Sequence, residues 1–228
     1  MARLTPPTTG APRRVGYLAA MSEHDPRPPV PGRAPDPLPD VFPAGGTVRP
    51  IARWGEPVMH RTQEPVTGFD HELRSLVADM VATMYAADGV GLAACQIGVD
   101  RSVFVFDCPD DQGRIVQGVV CNPRLFLPEG KDRKLDDDDE GCLSLPGAFV
   151  GCARPSYAKV EGQGLDGQPV SYAGFGLLAR CLQHETDHCL GTVFGDRLNK
   201  RARKKLYREA DDVAGEYPSD WPVTAAAG

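Results

Sequence analysis

The amino-acid sequence predicts an α+β fold, because its strand-like and helical segments are grouped rather than alternating. Two pairs of apolar, β-branched runs flank short turn signals in the middle of the 228-residue chain. Longer segments with a helical spacing of apolar residues lie before and after that region. The pattern therefore indicates antiparallel sheets with separate helices, and not a parallel sheet built from βαβ units.

The first predicted helix covers about residues 70–86. Its apolar side chains recur at the i, i+3, i+4 and i+7 spacing of one helix face: Leu73, Leu76, Val77, Met80, Val81, Met84 and Tyr85. Asp70 suits the N-cap position, and Gly89 and Gly91 end the pattern. Before this helix we expect an extended segment, Val48–Val58.

The predicted strands form two hairpins. Arg101–Asp107 and Val116–Cys121 are joined by a turn-forming Asp-Asp-Gln-Gly sequence. Lys159–Leu165 and Gln168–Tyr172 flank an Asp-Gly dipeptide, which is a strong short-range hairpin signal. The acidic run Asp136–Asp139, between the two hairpins, is interpreted as a solvated loop.

Two more helices are predicted in the C-terminal third. The first runs from about residue 175 to 189 and stops before Gly191, a residue type common just beyond helix ends. Its apolar positions are Leu177, Leu178, Cys181, Leu182 and Cys189. A face this broad indicates packing against a core. The second helix, about residues 199–209, is strongly basic.

Composition divides the chain into three parts. Residues 1–46 are rich in proline and have no hydrophobic period, so we expect a disordered N-terminal extension. Residues 47–210 carry the predicted elements and would form one folded domain, followed by a flexible tail over 211–228. The prolines would break the amphipathic helix of an organelle transit peptide, and the extension lacks the apolar core of a secretory signal.

Charge and cysteine content exclude several classes of protein. The net charge of −6 argues against binding DNA through bulk electrostatics. No apolar run approaches the roughly 20 residues needed to span a membrane. Seven cysteines without a regular spacing differ from a secreted disulfide scaffold and fit a reducing compartment. We expect a cytoplasmic, bacterial protein rather than an organellar one.

The segment His184-Glu185-Thr186-Asp187-His188 predicts a metal site. Residues four apart lie on one side of a helix, so His184 and His188 can bind one ion together. Glu185 can then act as general base toward a water at the metal. A polar patch on a surface helix is the alternative, but two unpaired histidines would be costly to bury on a helix with so apolar a face.

A catalytic site of this kind needs a third protein ligand. No histidine follows His188, and downstream acids could serve: Asp196, Glu209, Asp211, Asp212 and Glu216. Upstream, Cys142 lies within Glu140-Gly141-Cys142-Leu143-Ser144-Leu145-Pro146, in a predicted turn. A third distinctive block, Gly89–Gly98, surrounds Gln96 with small and apolar residues.

These three blocks, in this order, resemble the motifs GxGLAAxQIG, EGCLS and QHExDH of the peptide deformylase family. The similarity covers about residues 47–206. It implies small antiparallel sheets around a central helix carrying HExxH. It also implies a metal-dependent hydrolase that removes the N-formyl group from the formyl-methionine of newly made polypeptides and releases formate.

The resemblance also implies roles for individual residues. Cys142 would join His184 and His188 as the third ligand of one divalent ion, Fe²⁺ in the cell, with Zn²⁺, Ni²⁺ or Co²⁺ as substitutes. Gln96 and the backbone N–H of Leu143 would donate to the developing oxyanion. Gly91 would permit close backbone approach to metal or substrate.

Three other functions are compatible with these residues. A metalloendopeptidase could use the same His-Glu-His chemistry, and Cys142 could instead be a nucleophile paired with a histidine. An inactive metal-binding relative is a third interpretation, although it would need neither Glu185 nor Gln96. As partners we expect formyl-methionyl nascent peptides and a transient ribosome contact through the basic helix. We expect a monomer that binds no membrane.

Overall fold

The computed structural model of the protein describes residues 41–223. Most of the extension predicted to be disordered, residues 1–40, lies outside the described residues. Residues 41–46 are described, however, and the side chain of Phe42 is buried in the core. The ordered domain therefore begins before residue 47.

Three α-helices occur in this part of the chain: His71–Ala86 (α1), Gly176–Cys189 (α2) and Lys200–Val213 (α3). The Asp70 carboxylate caps α1 by accepting hydrogen bonds from the backbone N–H groups of Glu72 and Leu73, as predicted. The end of α3 at Val213 shows that the boundary predicted at residue 210 is too early. Ordered contacts continue to Trp221.

Seven strands are present among residues 41–223, and all pair antiparallel. They are Gly91–Ala93 (β1), Val103–Pro109 (β2), Ile115–Phe126 (β3), Leu135–Cys142 (β4), Leu145–Pro155 (β5), Tyr157–Gln163 (β6) and Pro169–Phe175 (β7). One sheet has five strands in the order β1-β2-β3-β6-β7, and β4 pairs with β5 in a second sheet. The prediction of an α+β fold with antiparallel sheets is confirmed.

The β4–β5 hairpin corrects two expectations. Asp136–Asp139 is not a loop but lies within β4, opposite residues 151–154 of β5. Most of these acidic side chains face solvent, so pairing with β5 overrides their low strand propensity without burying their charge. Cys142 is the last residue of β4 rather than part of an isolated turn.

The expected extended segment, Val48–Val58, is irregular and runs into a short 3-10 helix, Pro57–His60.

Helix α2 lies between the two sheets. Its apolar side packs with strands of the five-stranded sheet in a buried cluster that includes Phe104, Phe106 and Val160. The opposite side makes hydrogen bonds to the β4–β5 hairpin, for example from Arg180 to the carbonyl of Cys152. Burial on both sides places the polar residues of α2 in the interior.

Candidate metal centre

His184 and His188 lie one turn apart on α2, and their rings face each other. The two Nε2 atoms are 3.1 Å apart, and both side chains are at most 5% exposed. Two imidazole nitrogens at this distance can share one hydrogen or one cation. The four-residue spacing therefore brings the two histidines together on one side of α2, as predicted.

The β4–β5 hairpin brings Cys142 to the same point. Its Sγ atom lies 3.4 Å from Nε2 of His188, and the three ligand atoms all lie within 4.8 Å of one another. A tetrahedral ion with ordinary bond lengths would set such atoms roughly 3.3–3.6 Å apart. The three side chains fit a divalent metal ion. Within residues 41–223, no downstream acid belongs to this group.

Glu140 orients the first histidine. Its Oε1 atom lies 2.7 Å from Nδ1 of His184. Burial opposes ionisation of Glu140, but Arg154 and His184 outweigh it and hold the pKa of the carboxyl well below its usual range. The ionised carboxylate must accept, so Nδ1 of His184 donates, and the ring is oriented with Nε2 toward Cys142 and His188. Metal-ligating histidines usually have such a carboxylate partner.

A buried set of ion pairs extends from Glu140. Arg154 donates to both Glu140 oxygens, at 2.7 and 2.6 Å, and to Asp187 at 2.9 Å. Arg180 donates to Glu140 at 2.9 Å, and Arg197 pairs with Asp187 from a half-exposed position. We refer to these five residues as the Glu140 network. It connects β4, β5, α2 and the segment after α2.

The electrostatics of this centre favour a cation between the ligands. Burial lowers the pKa of His184, but Cys142 and Glu140 outweigh it and raise the pKa of the ring well above its usual value. Burial and the neighbouring His184 lower the pKa of His188. Cys142 and Glu140 therefore attract positive charge to the position of the His184 ring, a charge that a bound cation would supply instead of a proton. His188 stays neutral, which is the form of histidine that binds a metal.

Glu185 lies beside the ligands with space provided by Gly91. Its Oε2 atom is buried and has no hydrogen-bond partner among the described residues. Burial raises the pKa of this carboxyl to about 7, as suits a group that accepts and returns a proton near neutral pH. A Cβ on Gly91 would lie 2.5 Å from Oε1 of Glu185 and 2.9 Å from Sγ of Cys181. In this structure Gly91 makes room for the Glu185 carboxylate.

Gln96 is directed at the same point from the other side. Its Oε1 atom accepts from the N–H of Ala93, which turns the Nε2 group toward Cys142 Sγ at 3.6 Å and Ser144 Oγ at 3.3 Å. Gln96 is only 1% exposed, so its amide is fixed by these partners. Leu143 follows Cys142 in the chain and is buried. All seven residues predicted for the site lie in this region.

The sequence analysis did not predict the Glu140 network. Glu140 and Asp187 lie within the EGCLS and QHExDH motifs, but a motif does not indicate which residues pair with them. Arg154 and Arg180 each stand inside an apolar run, Cys152-Ala153-Arg154-Pro155 and Ala179-Arg180-Cys181. A charge in such a run is rarely buried without a partner. This signal could have indicated buried ion pairs, although not which residues pair.

Comparison with known proteins gives one consistent family. Residues 48–204 match the family model described as polypeptide deformylase. The chain is 53% identical over 173 residues to "Peptide deformylase 1" of Streptomyces avermitilis, covering 76% of this chain and 80% of the relative. A further relative, "Peptide deformylase 2" of the same organism, is 51% identical over 165 residues, or 72% of this chain and 87% of the relative.

Solved structures give the same result. The chain is similar to the crystal structure of a peptide deformylase from Legionella pneumophila, with a TM-score of 0.66 and 36% identity, covering 75% of this chain and 97% of that one. A peptide deformylase from Synechococcus elongatus in complex with actinonin gives a TM-score of 0.63 and 35% identity, covering 72% and 86%. Fold and sequence therefore point to one family.

Proposed function

This chain belongs to the peptide deformylase family, and we propose that Cys142, His184 and His188 hold the metal ion with which it acts. It is an enzyme that removes the N-formyl group from the N-terminal formyl-methionine of newly made polypeptides and releases formate. The convergence of three ligand atoms beside a buried glutamate carries the assignment of the site. In this proposal α2 is the central helix around which the sheets are arranged.

The protein groups around the ligands have complementary roles. A divalent ion held there would supply a Lewis acid that acidifies a water and polarises the formyl carbonyl. The Glu185 carboxylate accepts the proton from the attacking water and delivers it to the departing amine. The Gln96 Nε2 group and the Leu143 N–H donate to the oxyanion as it develops. Gly91 keeps the space that the Glu185 carboxylate needs.

Fe²⁺ is the ion that we propose for the cell. A thiolate from Cys142 is a softer donor than a carboxylate and is compatible with Fe²⁺ as well as with Zn²⁺, Ni²⁺ or Co²⁺. If iron is native, enzyme purified without oxygen should contain iron and lose activity in air as metal and thiolate oxidise. Reloading with nickel or cobalt should give an air-stable enzyme. An iron-loaded sample that keeps full activity in air would contradict this choice.

A metalloendopeptidase is the second candidate, and one digest separates the two. A longer formylated peptide is incubated with the enzyme, and its products are identified by mass spectrometry together with an assay for formate. Loss of the formyl group alone is the expected result. Internal fragments would show that the enzyme is an endopeptidase instead. The absence of both products from a metal-loaded sample would indicate an inactive metal-binding relative.

The basic helix α3 is the surface that we propose for a transient ribosome contact. Its cationic side chains and β5 line a shallow groove: Val150, Asn199, Arg201, Ala202, Lys204, Lys205 and Arg208. Reversing the charge of Lys204 and Arg208 should weaken ribosome binding, with a salt dependence, and leave turnover of small peptides unchanged. Ribosome binding equal to that of the wild type would contradict the proposed contact.

The remaining proposals concern assembly and location. We propose a monomer in the bacterial cytoplasm, supported by bacterial relatives. Within residues 41–223, no helix combines the length and apolar character needed to cross a bilayer. Deleting residues 1–40, the N-terminal arm, should leave melting temperature, turnover and monomeric mass nearly unchanged, because every element that carries the site begins after them. A large fall in melting temperature would show that the arm docks on the domain.

A further inference from the structure

The last described residues fold back over the start of the domain. Residues 214–223, here called the C-terminal strap, follow α3 and lie outside the family match, which ends at residue 204. The carbonyl of Trp221 accepts a hydrogen bond from the N–H of Ile51 at 2.9 Å. The Trp221 ring packs against the core that contains α1 and meets the Tyr217 ring edge-on at 5.3 Å. The strap is therefore docked on residues 51–54, here called the 51–54 segment.

Arg53 fastens the strap to this segment. Its Nη2 group donates to the carbonyl oxygens of Tyr217 and Pro218, at 2.8 and 3.0 Å. The guanidinium also lies over the Trp221 ring, 5.9 Å from its centroid. Two of these contacts are made to backbone carbonyls of the strap and the third to a side chain, so Arg53 would lose all three if the strap were displaced.

The other edge of the 51–54 segment contacts Gln96 and Ser144, the residue after Leu143. The N–H of Ala52 donates to the carbonyl of Gln96 at 2.8 Å, and the N–H of Trp54 donates to the carbonyl of Ser144 at 3.1 Å. Gln96 and Ser144 are also joined through their side chains, at 3.3 Å. The segment thus connects the two parts of the chain that carry the Gln96 amide and the Cys142–Leu143 peptide.

Gly147 provides a second, independent contact between the strap region and the hairpin that carries Cys142. Its φ is +77°, and a Cβ there would lie 2.8 Å from Cγ2 of Val213 and 3.0 Å from the Tyr217 ring. The Tyr217 ring therefore packs against the backbone of Gly147, near the start of β5. The hairpin side of the proposed oxyanion site is therefore in direct contact with Tyr217 of the strap, and the Gln96 side is linked to the strap through the 51–54 segment.

We propose that the C-terminal strap positions the Gln96 amide for catalysis by holding the 51–54 segment in place. Arg53 is the positioning residue, since it acts on Gln96 through the backbone of Ala52. A donor that stabilises charge only in the transition state must be fixed before the reaction, because reorientation would offset its benefit. This proposal rests on the function proposed above for Gln96.

Arg53→Met is the central test, because methionine keeps much of the aliphatic stem and removes both hydrogen bonds to the strap. With formyl-Met-Ala-Ser and metal-loaded enzyme, kcat should fall on the order of tenfold, as expected when an oxyanion donor is displaced but not removed. KM and metal content should change by less than about twofold. Arg53→Lys, which retains a donor, should recover part of the lost kcat.

Arg49→Met is the matched control. Arg49 lies four residues before Arg53 and pairs with Asp79 of α1, not with the strap. Its substitution should leave kcat unchanged. Equal losses for Arg49→Met and Arg53→Met would show that the strap has no specific role.

A double-mutant cycle with Gln96→Ala decides whether the effect passes through Gln96. In that background Arg53→Met should cause no further fall in kcat, because the group that the strap positions is gone. An equal fall in both backgrounds would overturn the proposal, as would wild-type kcat in Arg53→Met. A wild type that releases no formate would instead overturn the proposed function. Trp221→Ala, which leaves the chain length unchanged, should repeat the Arg53→Met result.

Discussion

The two sides of α2 are buried by different interactions. Toward the five-stranded sheet, Leu178, Cys181 and Leu182 pack among aromatic and aliphatic side chains, which include Phe104 and Phe106. Toward the β4–β5 hairpin, the side chains are polar and charged, and burial is compensated by hydrogen bonds and ion pairs. One helix thus carries a packing side and a chemical side.

This difference matters because the two sides respond differently to substitution. A buried apolar contact is non-directional, so its loss lowers stability and leaves distant geometry nearly intact. A buried charge needs particular partners at particular distances, and its loss leaves the partner uncompensated. We therefore expect changes on the chemical side to alter metal binding and catalysis. Changes on the packing side should alter stability alone.

The largest effect is expected from removing a ligand. Cys142→Ala, His184→Ala and His188→Ala should each lose bound metal and activity together, since two remaining side chains cannot complete the site. Cys152→Ala is the matched control, because Cys152 is equally buried in the same hairpin but is not in the ligand group. Metal content by elemental analysis and formate release measure both. Full metal content in Cys142→Ala would break the assignment.

Glu185→Gln should have the next largest effect. The amide keeps the size of the side chain but cannot accept a proton, so kcat should fall by roughly 10²–10⁴-fold while metal content stays normal. Glu161→Gln, at a half-exposed glutamate on β6 far from the ligand group, is the control and should match the wild type. Loss of metal from Glu185→Gln would show that Glu185 belongs to the ligand shell instead.

The sequence predicted these two sides of α2 unequally. Spacing alone identified the helix, its apolar face and the pair His184 and His188, because these depend only on helical geometry. The resemblance supplied Cys142, Gln96 and Leu143, which are distant in the chain. The structure brings Cys142 and Leu143 to α2 through the β4–β5 hairpin, whose acidic first strand has no strand-like pattern. Local pattern could not predict a pairing that tertiary contacts impose.

The partners of Glu140 could not be predicted from local sequence either. Arg154 and Arg180 approach this carboxylate from β5 and α2, 14 and 40 residues away in sequence. Nothing in either local sequence specifies the other. The C-terminal strap is a similar case, since its docking on Ile51 and Arg53 joins the two ends of the domain. Such long-range pairs are set by the fold as a whole.

Substitutions in the Glu140 network should have intermediate effects. Glu140→Gln should weaken metal affinity by roughly 10–100-fold, as is typical for the partner of a metal-ligating histidine. Competition with a chelator measures this without relying on activity. Arg154→Met should reduce stability more than Arg197→Met, because Arg154 is buried and contacts two carboxylates while Arg197 is half exposed. Equal stability of these two variants would contradict a role for burial.

The smallest effect on the site is expected from the packing side. Leu178 is 1% exposed and lies six residues before His184, in contact with β7. Leu178→Ala should lower the free energy of unfolding by about 2–5 kcal/mol, the usual cost of such a cavity, as measured by chemical denaturation. Metal affinity and kcat of the folded enzyme should stay within about twofold of the wild type, because no ligand or ion pair depends on this side chain. A weakened metal site in Leu178→Ala would show that the packing side also sets the geometry of the ligands, and the division between the two sides would then fail.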